Sequence, residues 1–477
     1  MAKFYITTAI PYVNAKPHIG HALEFVQADV ITRYHKILGD DTLLLSGGDE
    51  NALKNVQAAE KEKIPIQQFV EKNSKLFADL AQKLNVHFDV FQKGSDAKHH
   101  SSSQKLWELC NKNGDIYKKE YTGLYCVGCE LFYEKEELNE KGECFEHPGK
   151  KLDEVTETNY FFKLSKYQND IEKLIETDKL KIIPQKRKNE ALSFVKQGLK
   201  DISISRSNER AKNWGVPVPN DPTQRMYVWF DALNIYQSGI GFALDTEKYK
   251  KWWPADLHVI GKGILRFHAI YWPAFLLSAK LTPPKKLFVH GYLTVDGQKM
   301  SKTLGNVIDP LDLIEKYGTD ALRYYLLKEI SPFEDGDFSE SRFKEVYNAD
   351  LANGLGNLVA RVAKLCERIN YQFPNNKPSN HSKFKQPNTS FGFDYNFSNA
   401  LSNIWSNIRI TDGIINDEEP WRVSDDEKLK DILFRYVDKI IDIANELKPF
   451  LPETAEKIEK QFKGPKITSQ KPLFPRI

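Results

Sequence analysis

Phe4-Tyr5-Ile6-Thr7-Thr8-Ala9-Ile10-Pro11-Tyr12-Val13-Asn14-Ala15-Lys16-Pro17-His18-Ile19-Gly20-His21 is the stretch that decides the fold. Phe4 to Ala9 is a short β-forming run, and Ile10-Pro11-Tyr12 ends it. Asn14 to Pro17 is polar and turn-forming. Beyond it, Ile19, Leu23, Val26, Val30 and Tyr34 recur at helical spacing. The order is strand, loop, helix. Thr42 to Ser46 then supplies a second buried strand ending in Gly47-Gly48-Asp49, and helical segments fill 51–83 and 98–113. Strands alternating with helices predict a parallel, doubly wound α/β sheet.

The pattern changes at Asn113-Gly114. From Tyr117 to Lys151 the chain is rich in Gly, Glu, Lys and Cys and has little periodicity, as an insertion would. Strand-like runs return at Met226 to Phe230, Leu257 to Ile260 and Lys286 to Thr294, with a helical stretch between the last two. The segments 342–369, 395–416, 426–447 and 452–462 are long and helical, and a polar stretch from Asn375 to Ser390 joins the first two. The expected organisation is an α/β domain in two halves, 1–113 and 223–295, split by an insertion over 114–222. A linking region, 296–341, and an α-helical bundle domain, 342–477, follow.

A chain of 477 residues is too long for one core. Its 41% hydrophobic and 28% charged residues are ordinary for a globular protein. Lys+Arg 68 against Asp+Glu 65 leaves +3, which neither demands nor excludes a nucleic acid partner. The longest apolar runs, Leu43 to Leu45 and Ala274 to Leu277, fall far short of the roughly 20 residues that span a bilayer. The N-terminus reads as a first strand and not as a signal peptide. Five cysteines, an odd number, suit a reducing cytoplasm better than a secreted disulfide framework.

Two histidines three apart at a helix start share one face near the positive end of the helix dipole. Backbone N–H groups there suit an anion such as a triphosphate, and Gly20 lets a flat base approach the backbone. Taken alone, His18-Ile19-Gly20-His21 could also be two partly buried helix histidines or half of a metal site. Gly291-Tyr292-Leu293-Thr294-Val295-Asp296-Gly297-Gln298-Lys299-Met300-Ser301-Lys302-Thr303 is a strand, a turn at Asp296-Gly297 and a loop with two lysines. In isolation it is better explained as a solvated hairpin with two ordinary surface lysines. Cys126, Cys129, Cys144 and His147 are spaced Cys-x2-Cys-x14-Cys-x2-His, the pattern of two knuckles closing on one structural zinc ion. The alternative is reduced cysteines without metal. Cys110 and Cys366 lack such spacing and read as buried thiols.

The histidine motif after the first strand and Lys299-Met300-Ser301-Lys302-Thr303 after the last one together resemble the paired signatures of the class I aminoacyl-tRNA synthetases. The resemblance implies a Rossmann-type catalytic domain. It implies that His18 and His21 stabilise the ATP phosphates while a carboxylate attacks the α-phosphorus, and that Lys299 and Lys302 hold the leaving diphosphate. Tyr12, His18, Gly20, His21 and Lys302 would bind ATP with its Mg²⁺. Such chemistry rests on positioning and charge stabilisation.

Ala9-Ile10-Pro11-Tyr12-Val13-Asn14 and a zinc knuckle in a short insertion are similar to the methionyl-tRNA synthetases. So are Tyr227-Val228-Trp229-Phe230-Asp231-Ala232-Leu233-Asn234-Ile235-Tyr236 and Ile260 to Pro273. Carried over by position, Ile10, Tyr12, Trp229, Ala232, Leu233, Tyr236, Ile264, His268 and Trp272 would surround a methionine side chain, with Asp49 on its amino group. Aromatic rings suit a flexible thioether, though each ring is also explained as core. Asp350 to Arg361 resembles the family's anticodon helix. Asn357 and Arg361 on one face, with Trp421 after Glu419-Pro420, would meet the anticodon of tRNA(Met); without the resemblance they read better as a helix-capping Asn, a surface Arg and a core Trp.

The resemblance thus implies ATP-dependent attachment of L-methionine to tRNA(Met) through methionyl-adenylate, with release of AMP and diphosphate. It points to a cytoplasmic monomer without DNA or membrane partners. The chain departs from the family pattern at Asn51-Ala52, where His-Gly is usual, at Gly263, where Asp is common, and at Leu233, where Pro is common. A class I synthetase for cysteine or a branched aliphatic residue is the nearest rival reading. A non-catalytic zinc-containing RNA-binding protein on the same scaffold, favoured only by Asn51 and Gly263, is another.

Overall fold

The protein is described by a computed structural model that covers residues 2–126, 128, 131–133, 135–144, 149–300, 305–370, 372 and 395–477. Its contacts divide it into two compact units. One comprises Met1–Pro17, Gly39–Ala81 and His87–His290; the other comprises His18–Leu38, Gln82–Val86 and Gly291–Ile477.

The chain starts with β1 (Lys3–Thr7), α1 (Ile19–Ile37), β2 (Asp41–Gly48), α2 (Leu53–Glu62), α3 (Ile66–Lys83), β3 (Val90–Lys93) and α4 (Ala97–Lys112). Phe4 to Thr7 and Leu43 to Gly48 are buried residue after residue, without alternation. That is the mark of parallel strands covered on both faces. In α3 the buried residues Phe69, Val70, Asn73, Phe77, Leu80 and Ala81 repeat every three or four positions and form one stripe. Asp96 caps α4 by accepting from the Lys98 amide.

In the first unit, the strands order β3-β2-β1, then Leu257–Gly261, Lys286–His290 and Lys181–Ile183, and all the pairings are parallel. Ile6 pairs with Leu257 and Thr7 with His258. Strand order therefore reverses at β1 and Leu257–Gly261. Such a switch point opens a crevice at the carboxyl ends of the strands, where ligands of doubly wound sheets bind. The loops leaving those two ends are Thr8 to Pro17 and Lys262 to Ile264. The edge strand Lys181–Ile183 comes from within the 114–222 stretch. The same stretch carries a separate antiparallel sheet, in which Ile116–Cys126 pairs with Asp153–Phe162 and with Leu131–Tyr133, and two helices, Gln168–Glu176 and Gln185–Lys196.

Two expectations fail locally. Met226 to Phe230 is not a strand: the strand ends at Met226, and Val228–Ala232 is a short helix. Strand-forming side chains yield here to the Asp231 contacts described below. Lys286 to Thr294 is not one strand either. Lys286–His290 lies in the large sheet, while Leu293–Val295 pairs with Gly336–Phe338 in a small one. Gly291 breaks the run, because a Cβ there would lie 2.2 Å from the Glu334 carbonyl oxygen.

In the second unit, helical winding is continuous through Glu340–Val346, the π-wound Tyr347–Gly356 and Asn357–Arg368. Pro310–Tyr317 and Thr319–Lys328 precede this run, and Phe397–Glu418, Asp426–Leu447 and Pro452–Phe462 follow it as helices. The joining stretch Asn375 to Ser390 lies outside the described residues. No helix among the described residues is long and apolar enough to cross a membrane.

Candidate active site

In the first unit the fold brings together several of the residues expected around a methionine side chain. Tyr12 and Asp49 form a parallel bridge beyond the ends of β1 and β2, and the Asp49 amide donates to the Pro11 carbonyl oxygen at 2.9 Å. Ile10, Tyr12 and Ile264 are partly buried against a core cluster that contains Trp229, Leu233, Tyr236 and Trp272. Ala232 is buried beside them. The Trp229 ring stacks on Phe267, with centroids 3.6 Å apart, and meets the edge of Tyr12 at 6.1 Å.

Tyr236 and His268 carry the polar contact of this aromatic wall. The Tyr236 hydroxyl lies 2.8 Å from His268 Nε2, and His268 Nδ1 lies 2.9 Å from the Ile264 carbonyl oxygen. A carbonyl only accepts, so Nδ1 carries the proton and Nε2 accepts from the hydroxyl. Burial pushes the His268 imidazole down to about 4, against a small upward pull from the Ile264 bond. The ring is therefore neutral at pH 7. Its unfolded value is 6.5. The stability that goes with the neutral ring is present above that value and is lost as pH falls towards 4. About 2 kcal/mol disappears by pH 5 from this group alone. The difference in urea-unfolding free energy between pH 7 and pH 5 should shrink by that order in His268→Gln. Equal pH dependence in the two proteins would remove the neutral histidine from the wall.

Behind the wall lies a buried polar cluster. Asp231 Oδ1 accepts from His99 Nε2 at 2.5 Å and from the Ser103 hydroxyl at 3.1 Å. Its Oδ2 accepts from the Asn51 amide at 2.6 Å, and that amide also donates to the Gly94 carbonyl oxygen. Burial alone would raise the Asp231 carboxyl. The His99 imidazole and the bonds from His99 and Asn51 bring it below its ordinary value instead. Asn51 thus ties the loop bearing Asp49 to the helix bearing Trp229 and Ala232. The sequence marks Asn51 as a departure, but nothing in it pairs Asn51 with Asp231 or His99.

In the second unit, His18 is the N-cap of α1. Its Nδ1 accepts from the Gly20 amide and His21 Nδ1 accepts from the His18 amide, each at 3.1 Å. This is a reciprocal capping box built from two imidazoles. With Nδ1 accepting, each neutral ring carries its proton on Nε2. Burial pushes the His18 imidazole down to about 4. A Cβ at Gly20 would lie 2.9 Å from His18 Cε1 and 3.7 Å from Met300 Cε. The glycine therefore makes room for the capping ring and faces the methionine of the lysine motif. The Ile19 amide also donates to the Ile308 carbonyl oxygen at 3.1 Å. Leu293–Val295 and Gln298–Lys299 form a hairpin whose turn residues Asp296 and Gly297 have φ of 48° and 76°. Left-handed values at both positions are what a two-residue hairpin of this twist requires. Lys299 is exposed on it, and Lys302 lies outside the described residues.

Cys126 and Cys144 are both buried, with Sγ atoms 3.3 Å apart. That is too long for a disulfide and near the roughly 3.8 Å edge of a tetrahedron of zinc–sulfur bonds. The two thiols therefore fit two ligands of one metal ion. Cys129 and His147 lie outside the described residues. Cys110 and Cys366 are buried thiols that burial pushes up to about 12, which leaves them unreactive.

At the helical end, Asn357 and Arg361 lie one turn apart. The Arg361 guanidinium sits 4.9 Å from the Trp421 ring and pairs with Asp412 at 2.9 Å. The Trp421 ring is exposed at 39%. An exposed ring beside a guanidinium and an exposed amide suits unpaired bases.

The family model for class I tRNA synthetases (M) matches residues 4–363. The methionine–tRNA ligase of Synechocystis sp. is 41% identical over 480 residues, which cover 96% of this chain and 89% of that protein. The methionine–tRNA ligase of Brucella suis biovar 1 is 38% identical over 506 residues, covering 99% and 98%. Among solved structures, Mycobacterium tuberculosis methionyl-tRNA synthetase in complex with methionyl-adenylate superposes with a TM-score of 0.92 at 35% identity, covering 100% of both chains.

Proposed function

The chain belongs to the class I tRNA synthetases, in their methionine branch, and we propose that the aromatic wall around Trp229 holds methionine while the capped histidines and the lysine hairpin serve the phosphates of ATP. The protein attaches L-methionine to tRNA(Met) at the expense of ATP, through methionyl-adenylate, and releases AMP and diphosphate. The observation that carries the residue assignment is His268. One neutral imidazole, oriented by Ile264 and Tyr236 in a mainly aromatic wall, suits a thioether that needs contact area and a polar neighbour.

In this reading Asp49 takes the methionine ammonium, and Ile10, Tyr12, Trp229, Ala232, Leu233, Tyr236, Ile264, His268 and Trp272 line the side chain. A methionine carboxylate oxygen attacks the α-phosphorus of ATP, which arrives with Mg²⁺. Tyr12 and Gly20 contact the nucleotide. His18 and His21 donate Nε2–H to the phosphate oxygens as neutral donors, and the lysines Lys299 and Lys302 receive the departing diphosphate. Donors fixed in advance by a helix cap need no reorganisation when charge develops. The 2′-hydroxyl of the terminal adenosine of the tRNA then takes the methionyl group, while Asn357, Arg361 and Trp421 hold the anticodon. Cys126, Cys129, Cys144 and His147 hold one zinc ion. With all four positions filled by protein, it orders the arm and takes no part in the reaction. The buried, free thiols Cys110 and Cys366 suit the cytoplasm.

Purified protein should exchange diphosphate into ATP with methionine and not with cysteine, leucine or isoleucine, and the same sample should contain about one zinc per chain. Exchange with one of the other amino acids would move the protein to another branch. Absence of exchange with any amino acid, beside retained tRNA binding, would favour a non-catalytic role.

A further inference from the structure

We propose that Lys54 is a positioning residue that couples the cysteine knuckle to the substrate loop through Tyr12. It rests on the readings that Tyr12 lines the methionine pocket and that the knuckle holds zinc, and goes beyond both. Lys54 stands at the second position of α2, directly after the Asp49 to Ala52 loop. Its Nζ donates to the Gly128 carbonyl oxygen at 3.0 Å and lies 3.3 Å from the centroid of the Tyr12 ring. Gly128 sits between Cys126 and Cys129, inside the first knuckle. Tyr12 is bridged to Asp49 on one side and meets Trp229 on the other. One ammonium therefore touches the knuckle and the loop that carries two of the residues assigned to methionine.

The coupling follows from what each contact fixes. A metal held by thiolates three residues apart sets the turn between them and so the direction of the Gly128 carbonyl. That carbonyl sets where the ammonium rests, and an ammonium over a ring face restrains the ring. The bridge between Tyr12 and Asp49 passes this restraint to the Asp49 backbone. The knuckle thereby affects methionine binding through Tyr12 without touching the substrate.

The test is a cycle of Lys54→Met against zinc removal, read as methionine affinity by intrinsic tryptophan fluorescence. In the zinc-loaded protein Lys54→Met should weaken methionine about 5- to 10-fold, with zinc content unchanged and partial recovery in Lys54→Arg. Chelation should weaken the parent by a similar factor and the Lys54→Met variant by less than about twofold. Full, independent losses from the two changes, or unchanged affinity in zinc-loaded Lys54→Met, would overturn the coupling. Tyr12→Ala separates the two readings. If it leaves methionine affinity unchanged, the assignment of Tyr12 to the pocket fails; if it weakens methionine while Lys54→Met does not, only the coupling fails. Hydrogen exchange at the Asp49 amide, which donates to the Pro11 carbonyl oxygen, needs no metal removal. Lys54→Met should speed it several-fold, and an unchanged rate would count against the coupling.

Discussion

His21→Ala should lower the rate of methionine-dependent ATP–diphosphate exchange by about 10²- to 10³-fold and leave the KM for methionine within about twofold. Within the capping box His21 Nδ1 accepts from the His18 amide, so the neutral ring has its proton on Nε2. The variant loses a fixed donor at the helix end where an anion is favoured. It also loses half of the box, but a cap contributes only about 1 kcal/mol. A rate loss of this size corresponds to about 3–4 kcal/mol. The melting temperature should therefore fall by a few degrees while the rate collapses. Because burial holds His18 down at about 4, exchange should show no inflection from that ring between pH 5 and 8. An exchange rate left unchanged by His21→Ala would take the phosphate role away from the helix start.

The alternation of strands and helices that predicted a parallel sheet holds because those segments are long and evenly buried. The stripe of α3 and the winding of Asp426–Leu447 follow the same apolar periodicity that the sequence displays. Periodicity says nothing, however, about partners far apart in the chain. Lys181–Ile183 is too short for a pattern, and it becomes a strand only because Lys286–His290 offers an open edge. Met226 to Phe230 has strand-forming side chains, yet it leaves the sheet at Met226 because Asp231 must face Asn51 and His99. Tertiary contacts override local preference at such places.

The candidate site divides along the same line. The histidine motif at a helix start was legible because both rings and the glycine sit within four residues, but that the two imidazoles cap the helix reciprocally is seen only in the fold. The cysteine spacing is local too, and the structure brings one of its pairs together, Cys126 with Cys144, while Cys129 and His147 lie outside the described residues. His99 and Lys54 were not legible. Their partners, Asp231 and Gly128, lie far along the chain, and only the fold brings them close. Asn51 is an intermediate case: its oddity shows in the sequence, whereas the carboxylate it meets does not.

Arg323→Met should destabilise the helical unit by about 3–5 kcal/mol, measured by urea unfolding. Arg323 has no exposed surface. Its Nε donates to the Phe450 carbonyl oxygen at 2.8 Å, Nη1 to Leu84 at 3.1 Å, and Nη2 to Pro449 at 3.0 Å. The same Nη2 lies 2.8 Å from Asp29 Oδ2 on α1. Methionine matches the stem and its volume, so the loss is one of hydrogen bonds and charge and not of packing. It orphans three carbonyls, although Asp29 keeps Arg33 as a partner at 2.7 Å. Each buried group left unsatisfied costs about 1–3 kcal/mol. Arg323→Lys should recover little, because an ammonium has three donors at a single point and cannot span acceptors spaced for a planar fork. Since Asp29 shares α1 with His21, exchange should decline at temperatures below the unfolding transition, as the helix loosens before the unit melts. A variant as stable as the parent would mean that water or a neighbouring donor replaces the guanidinium, and would leave α1 held by its apolar face and by its bonds from Arg33 to Asn85 and from Ile19 to Ile308.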